Sequence, residues 1–138
     1  MADGSIPVVV VPVYNDAPGI ETTINSLQSR CKSEHRIIVV DNGSTDQTLD
    51  VARSYSDASL SVYTEVEIQG SYAARNRGIE ESKSNYISFL DADETVDDDW
   101  LETALEAMDE QDVDYLGYNV ELTLPEDTLV GRYNARTG

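Results

Sequence analysis

One cysteine, one histidine, one tryptophan and one phenylalanine in 138 residues leave little material for several common kinds of site. Cys31, standing alone, excludes an internal disulfide and a cysteine zinc cluster, and the lone His35 excludes a multi-histidine metal centre. Lysine is nearly absent: only Lys32 and Lys83 occur, beside seven arginines. No apolar run approaches the roughly 20 residues that span a bilayer. The segment Met1–Ser5 carries an acid and no base ahead of Ile6, which is not how a secretory signal begins. The expectation is one cytoplasmic domain over residues 1–138, without a transmembrane segment.

What the chain has in excess is acid. Its 27 Asp and Glu against nine Lys and Arg give a net charge of −18. A field of that sign repels nucleic acid and anionic membranes, so neither is expected as a partner. Apart from Asp97-Asp98-Asp99 the acids are dispersed, so this is no acidic tail. A dispersed acidic surface poor in lysine fits a halophilic protein, because concentrated salt screens the self-repulsion. An ordinary acidic cytosolic protein is the plainer alternative.

Hydrophobic residues, 40% of the chain, fall into alternating strand and helix patterns. Ile6–Val11 is a β-branched run that reads as a strand buried on both faces. Ile20, Ile24, Leu27 and Cys31 recur at helical spacing after Pro18, which makes Cys31 a core residue. Arg36–Val40 reads as a second strand, and the Ser44/Gln47 spacing as a capping box opening a helix through Leu49, Ala52 and Tyr55. Leu60–Val66 predicts a third strand near an edge. Gly70–Ser82 predicts a helix with Tyr72, Asn76 and Ile79 on one face. Tyr86–Leu90 is a fourth strand. Asp97–Asp99 sits ahead of a helix striped by Leu101, Ala104, Leu105 and Met108. Val113–Leu124 has strand character up to Pro125. This order predicts an α/β fold, a mostly parallel sheet flanked by helices, with ligands bound beyond the carboxyl ends of the strands.

Three strand ends are polar. Asn15 and Asp16 follow the first, Asp41-Asn42-Gly43-Ser44 the second, and Asp91-Ala92-Asp93-Glu94 the fourth. Taken singly, Asp16 and Ser44 read first as helix caps, and Asp41-Asn42-Gly43 has the chemistry of a turn. Asp41 stands directly on the strand end, ahead of the turn. Asp91 and Asp93, one residue apart, repel each other unless a cation or donor lies between them. Mg²⁺ or Mn²⁺ answers that need, since a hard ion typically takes one or two carboxylates and completes its shell with water and phosphate. Arg75 and Arg77 point about 200° apart on a helix, so only one can face a ligand and the other is expected in solvent.

The blocks Val8–Asp16, Val39–Thr48, Ala74–Gly78 and Phe89–Asp93, in this order, resemble the family 2 glycosyltransferases. The resemblance implies a GT-A fold of Rossmann-like architecture that binds a nucleotide-diphosphate sugar and transfers the sugar with inversion. It implies that Pro12, Val13 and Tyr14 line the nucleotide pocket with Asp16 beside them. Asp41 would hydrogen-bond the base, commonly uracil, so a UDP-sugar is the favoured donor. Arg75 would lie near the base or phosphates, Asp91 near the ribose and metal, and Asp93 on the metal itself, Mn²⁺ or Mg²⁺. Family members carry their general base in a later acceptor-binding half. Glu126 and Asp127 stand too close to Asp93 for that role, so the chain is expected to be truncated and no catalytic base is named. Acceptor and oligomeric state are not legible.

Rival patterns fit less well. A haloacid dehalogenase-like phosphatase has its Asp-x-Asp motif on the first strand, and a receiver domain has a lysine after its last strand. A dinucleotide dehydrogenase needs Gly-x-Gly-x-x-Gly where Pro12-Val13-Tyr14-Asn15 stands. A module that binds a nucleotide sugar without transferring it is the alternative from another class. The remaining tyrosines, Trp100 and His35 read as packing or surface residues.

Overall fold

The computed structural model describes residues 6–111. Strand β1 (Val8–Val13) is buried along its whole length and lies between β2 (Arg36–Asp41) and β4 (Ile87–Phe89), with β3 (Leu60–Thr64) outside β2. The order is β3-β2-β1-β4 and every pairing is parallel. A central strand is an unusual place for proline, because it cannot donate to the ladder. The register explains Pro12. Val8 N–H donates to Tyr86 and Val10 C=O accepts from Leu90, so alternate residues of β1 address β4. Pro12 is next in that series, but β4 pairing has stopped at Val10.

Helices cover both faces. Val9, Val11, Val13, Ile37, Val39 and Leu60 pack with Ile20, Ile24 and Leu27 of α1 (Ala17–Arg30), Ala52 of α2 (Thr48–Ser54) and Leu101 of α4 (Trp100–Gln111). On the other face, Val8, Val10, Ile38 and Val40 pack with Ala74 of α3 (Ser71–Ser82). Cys31 is buried at the end of α1, as its spacing predicts, and burial pushes its thiol pKa up. Trp100 and Leu105 pack on the first cluster.

Several local expectations are corrected. Strand β3 ends at Thr64, leaving Val66 71% exposed. Ser44 and Gln47 form no capping box; α2 starts at Thr48, whose N–H and hydroxyl both donate to Asp46, while Ser44 Oγ accepts from Asn15 N–H. Tyr72, Asn76 and Ile79 of α3 do share one face, which is exposed, while Ala73, Ala74 and Gly78 are buried. The cause is close approach: a Cβ on Gly78 would collide with Val10, so the face against the sheet must be made of the smallest side chains. Arg77 is no free surface arginine. Its guanidinium lies 5.6 Å from the Tyr63 ring centroid and bonds Glu81 and Thr64 C=O. The predicted strand Val113–Leu124, Tyr115, Tyr118, Glu126 and Asp127 lie outside the described residues, as does the side chain of Met108.

Candidate active site

Because all four strands run parallel, their carboxyl ends share one edge, and the strand order reverses at β1: β2 and β3 add on one side and β4 on the other. Such a reversal opens a crevice at the strand ends. Asp41 closes β2 there. It is 1% exposed, and its Oδ2 accepts N–H bonds from Ser44 at 2.9 Å and Gly43 at 3.2 Å. Its Oδ1 is buried with no hydrogen-bond partner among the described residues. Buried carboxylate oxygens are ordinarily satisfied, so an orphan of this kind points to a missing donor.

The next residue, Asn42, is 4% exposed and fully engaged. Its Nδ2 donates to Glu65 C=O and Ile68 C=O, and its Oδ1 accepts from Gly70 N–H. On the other side, Asn15 links the ends of β1 and β2. Its N–H donates to Ser44 Oγ at 2.8 Å and its Oδ1 accepts from Thr45 N–H at 2.8 Å. Asn15 has φ +49°, a left-handed geometry that asparagine tolerates better than most residues.

The β4 end is an acidic turn. Arg75 Nη2 donates to Asp91 Oδ1 at 2.9 Å, and Arg75 Nη1 to Ser71 Oγ at 3.3 Å. Asp91 N–H donates to Glu94 Oε1 at 2.7 Å. Thr23 of α1 donates to Glu94 C=O, and Ser26 Oγ accepts from Val96 N–H, so α1 fixes the turn from behind. Asp93 sits at φ +81° with its N–H on Gly19 C=O and its side chain exposed. Burial pushes the Glu94 carboxyl pKa up; the Asp91 N–H and Arg75 pull it down, while Asp91 and Asp93 add to the rise.

Asp41 and Asp91 therefore stand at the ends of β2 and β4, Asp93 follows in the turn, and Arg75 reaches Asp91 from α3. Tyr14 is half exposed beside them. Val13 is 4% exposed and Pro12 is buried, so of the expected pocket-lining residues only Tyr14 offers its side chain to solvent. Asp16 caps α1 through Gly19 N–H at 3.0 Å. Two residues of the site, Glu94 and Asn42, carry no clear signal in the sequence. Glu94 is one acid among many, and Asn42 ahead of Gly43 has the composition of an ordinary turn. Among the described residues no three His, Cys, Asp or Glu side chains are grouped to hold an ion. Asp91 and Asp93 nonetheless offer hard oxygen donors, suited to an ion that takes its remaining ligands from phosphate and water.

Residues 8–135 match the family described as glycosyl transferase family 2. The chain belongs to this family. Among its relatives, glycosyltransferase AglE of Haloferax volcanii is 42% identical over 134 residues, covering 94% of this chain and 44% of the relative. Putative glycosyltransferase EpsH of Bacillus subtilis is 36% identical over 123 residues, covering 87% and 35%. S. aureus TarS in complex with UDP-GlcNAc superimposes with a TM-score of 0.75 at 28% identity, covering 88% of this chain and 37% of that one. Mannosyltransferase PcManGT from Pyrobaculum calidifontis, in complex with GDP-Man and Mn²⁺, gives 0.68 at 27% identity, covering 75% and 32%. The sheet and its helices are thus GT-A architecture. The chain spans less than half the length of each of these proteins. Among the described residues no helix is long and apolar enough to cross a membrane.

Proposed function

We propose that this chain is the donor-binding part of an inverting glycosyltransferase that takes a nucleotide-diphosphate sugar, a UDP-sugar in the first instance. The carrying observation is Asp41 Oδ1, a buried acceptor without a donor at the end of β2. The ring N–H of uracil would fill it. TarS was solved with UDP-GlcNAc, which supports a uridine donor, while PcManGT was solved with GDP-Man, and guanine also offers a ring N–H.

In this reading Tyr14 lies against the nucleotide, and Arg75 counters the negative charge that builds on the departing diphosphate. Asp91 and Asp93 would hold Mn²⁺ or Mg²⁺, which would supply Lewis-acid stabilisation to that leaving group. Arg75 and Asp91 neutralise each other across the crevice, keeping both charges in place before the donor enters. Inversion follows when an acceptor hydroxyl attacks the anomeric carbon from the face opposite the diphosphate. The general base and the acceptor are left unassigned.

The test is calorimetric titration of UDP, GDP and UDP-GlcNAc at molar KCl, first with Mn²⁺ and then with EDTA. Metal-dependent UDP binding, lost in Asp93→Ala, is the expected result. Equal affinity in EDTA would remove the metal role of Asp91 and Asp93. The rival reading, a module that holds the donor without transfer, draws on a described site made only of donor-side groups. Steady acceptor-dependent release of UDP by this chain overturns it. A cytoplasmic location and adaptation to high salt belong to the same proposal.

A further inference from the structure

We infer that Asn42 is a positioning residue: its buried amide clamps segment 65–70 to the end of β2 and so holds α3, with Arg75, in register with Asp41 and Asp91. The functional part of this inference rests on the donor-site reading above; the clamp itself does not.

The argument begins with hydrogen-bonding capacity. An asparagine side chain has two N–H donors and one carbonyl acceptor in a single plane. All are used here: Nδ2 reaches Glu65 C=O at 2.7 Å and Ile68 C=O at 3.0 Å, and Oδ1 takes Gly70 N–H at 2.7 Å. Gln69 adds a cross-link by donating Nε2 to Asn42 C=O at 2.8 Å. Asn42 N–H is itself held by Val13 C=O at 2.9 Å. One side chain thus gathers three backbone groups of a segment that forms neither strand nor helix.

Gly70 is the residue that matters downstream. It sits at φ +135° as the N-cap of α3, so fixing its N–H fixes where α3 begins. Arg75 follows little more than one turn later and meets Asp91. Around the crevice the contacts close into a ring. Asp41 leads to Asn42, then to Gly70, Arg75 and Asp91. Asp93 N–H on Gly19 C=O, Gly19 N–H on Asp16 Oδ1, the adjoining Asn15 N–H on Ser44 Oγ and Ser44 N–H on Asp41 return the path to its start. Within this ring Asn42 ties the start of α3 to the end of β2, while Ala74 and Gly78 seat the helix on the sheet.

Aspartate has the same shape but no donors, and would set oxygen against the carbonyls of Glu65 and Ile68. Asn42→Asp is therefore the test, read by amide hydrogen exchange without ligand. The expected result is exchange about tenfold or more faster over residues 65–74, with β1 and β2 keeping their protection. Unchanged exchange there, or a uniform rise throughout, overturns the clamp. If N42D does not fold, Gln69→Ala, at an exposed side chain, must show the same selective pattern, smaller in size, or the clamp falls.

The second readout is UDP affinity in a cycle with Arg75→Ala. If Asn42 acts through Arg75, N42D weakens UDP binding in the wild-type background and adds little in the R75A background. An equal loss in both backgrounds overturns the positioning role. If the wild type binds neither UDP nor GDP, the donor-site reading fails, while the exchange experiment still decides the clamp.

Discussion

Arg75 and Asp91 meet at 2.9 Å between α3 and the turn that follows β4, with side chains 36% and 60% exposed. A pair this open to water contributes at most about 1 kcal/mol to folding. In the donor-site reading its value lies in holding a cation and an anion ready for the nucleotide. Arg75→Ala is therefore expected to shift the urea midpoint little while weakening UDP binding by about tenfold to a hundredfold, the worth of one charge-assisted hydrogen bond. Parallel denaturation and calorimetry check this. A large stability loss without an affinity change would make Arg75 a structural residue.

Asp41 should behave in the opposite proportion. Its Oδ2 satisfies two backbone N–H groups, so Asp41→Ala orphans both and is expected to cost about 1–3 kcal/mol by urea unfolding. Asp41→Asn keeps one carbonyl oxygen for those N–H groups but presents an amide donor or loses the second acceptor. It should retain most of the stability and lose uridine-nucleotide affinity. If D41N binds UDP as the wild type does, the orphaned Oδ1 is not the base acceptor.

Gly78 tests the packing of α3. A methyl group there would gain helix propensity, worth about 1 kcal/mol at most. It would also collide with Val10 Cγ1 in the middle of β1, an overpacking that typically costs about 1–3 kcal/mol. Since Val10 belongs to the central strand and is 0% exposed, it has nowhere to move. Net destabilisation of Gly78→Ala by denaturant is the expected outcome, and a gain would mean that α3 rides higher on the sheet.

The same helix marks the limit of what is legible in sequence. Runs such as Val8–Val11 and Ile37–Val40 announce buried strands because nothing but a two-sided cover explains them, and the strand ends follow with Asp41 and Asp91. The face of α3 is not legible in this way, because apolar size is a poor sign of burial there. Where a helix approaches a sheet closely, the smallest residues go inside, and Tyr72 and Ile79 remain in solvent. Asn42 is hidden for a related reason. Its partners are backbone groups 23 to 28 residues away, and only the folded chain brings them together. Ser44 is drawn from a local capping pattern to Asn15, 29 residues away.

Asp46 gives the acid dependence. The Thr48 hydroxyl and N–H on its carboxylate hold its pKa below the ordinary carboxylate value. A depressed pKa in the fold means that the unfolded chain binds the proton more readily. The stabilisation is present above the unfolded value of 3.8 and is lost as pH falls through the folded one. Thr48→Val removes the hydroxyl donor while keeping the shape of this fully buried side chain. The variant should be less stable at pH 7, and its disadvantage should shrink below about pH 4. A disadvantage constant with pH would assign the loss to packing alone.

Salt is the remaining lever. With 27 acids and nine Lys and Arg, at least 18 carboxylates have no basic partner of their own. The pair Arg30–Asp98, at 3.9 Å and largely exposed, illustrates how loosely such partners are held. Repulsion between dispersed charges acts over the Debye length, about 10 Å at 0.1 M salt and 3 Å at 1 M. Raising KCl from 0.1 to 2 M should therefore raise the Tm by several degrees, with most of the gain below 1 M if screening is the cause. Neutralising Asp97, Asp98 and Asp99 to Asn should reduce that gain, because three adjacent carboxylates contribute strongly to the local field. NaCl should match KCl under screening; a clear preference for K⁺ would instead mean that the carboxylates bind the cation specifically. A Tm independent of salt would mark the acidity as ordinary surface composition and end the halophilic reading.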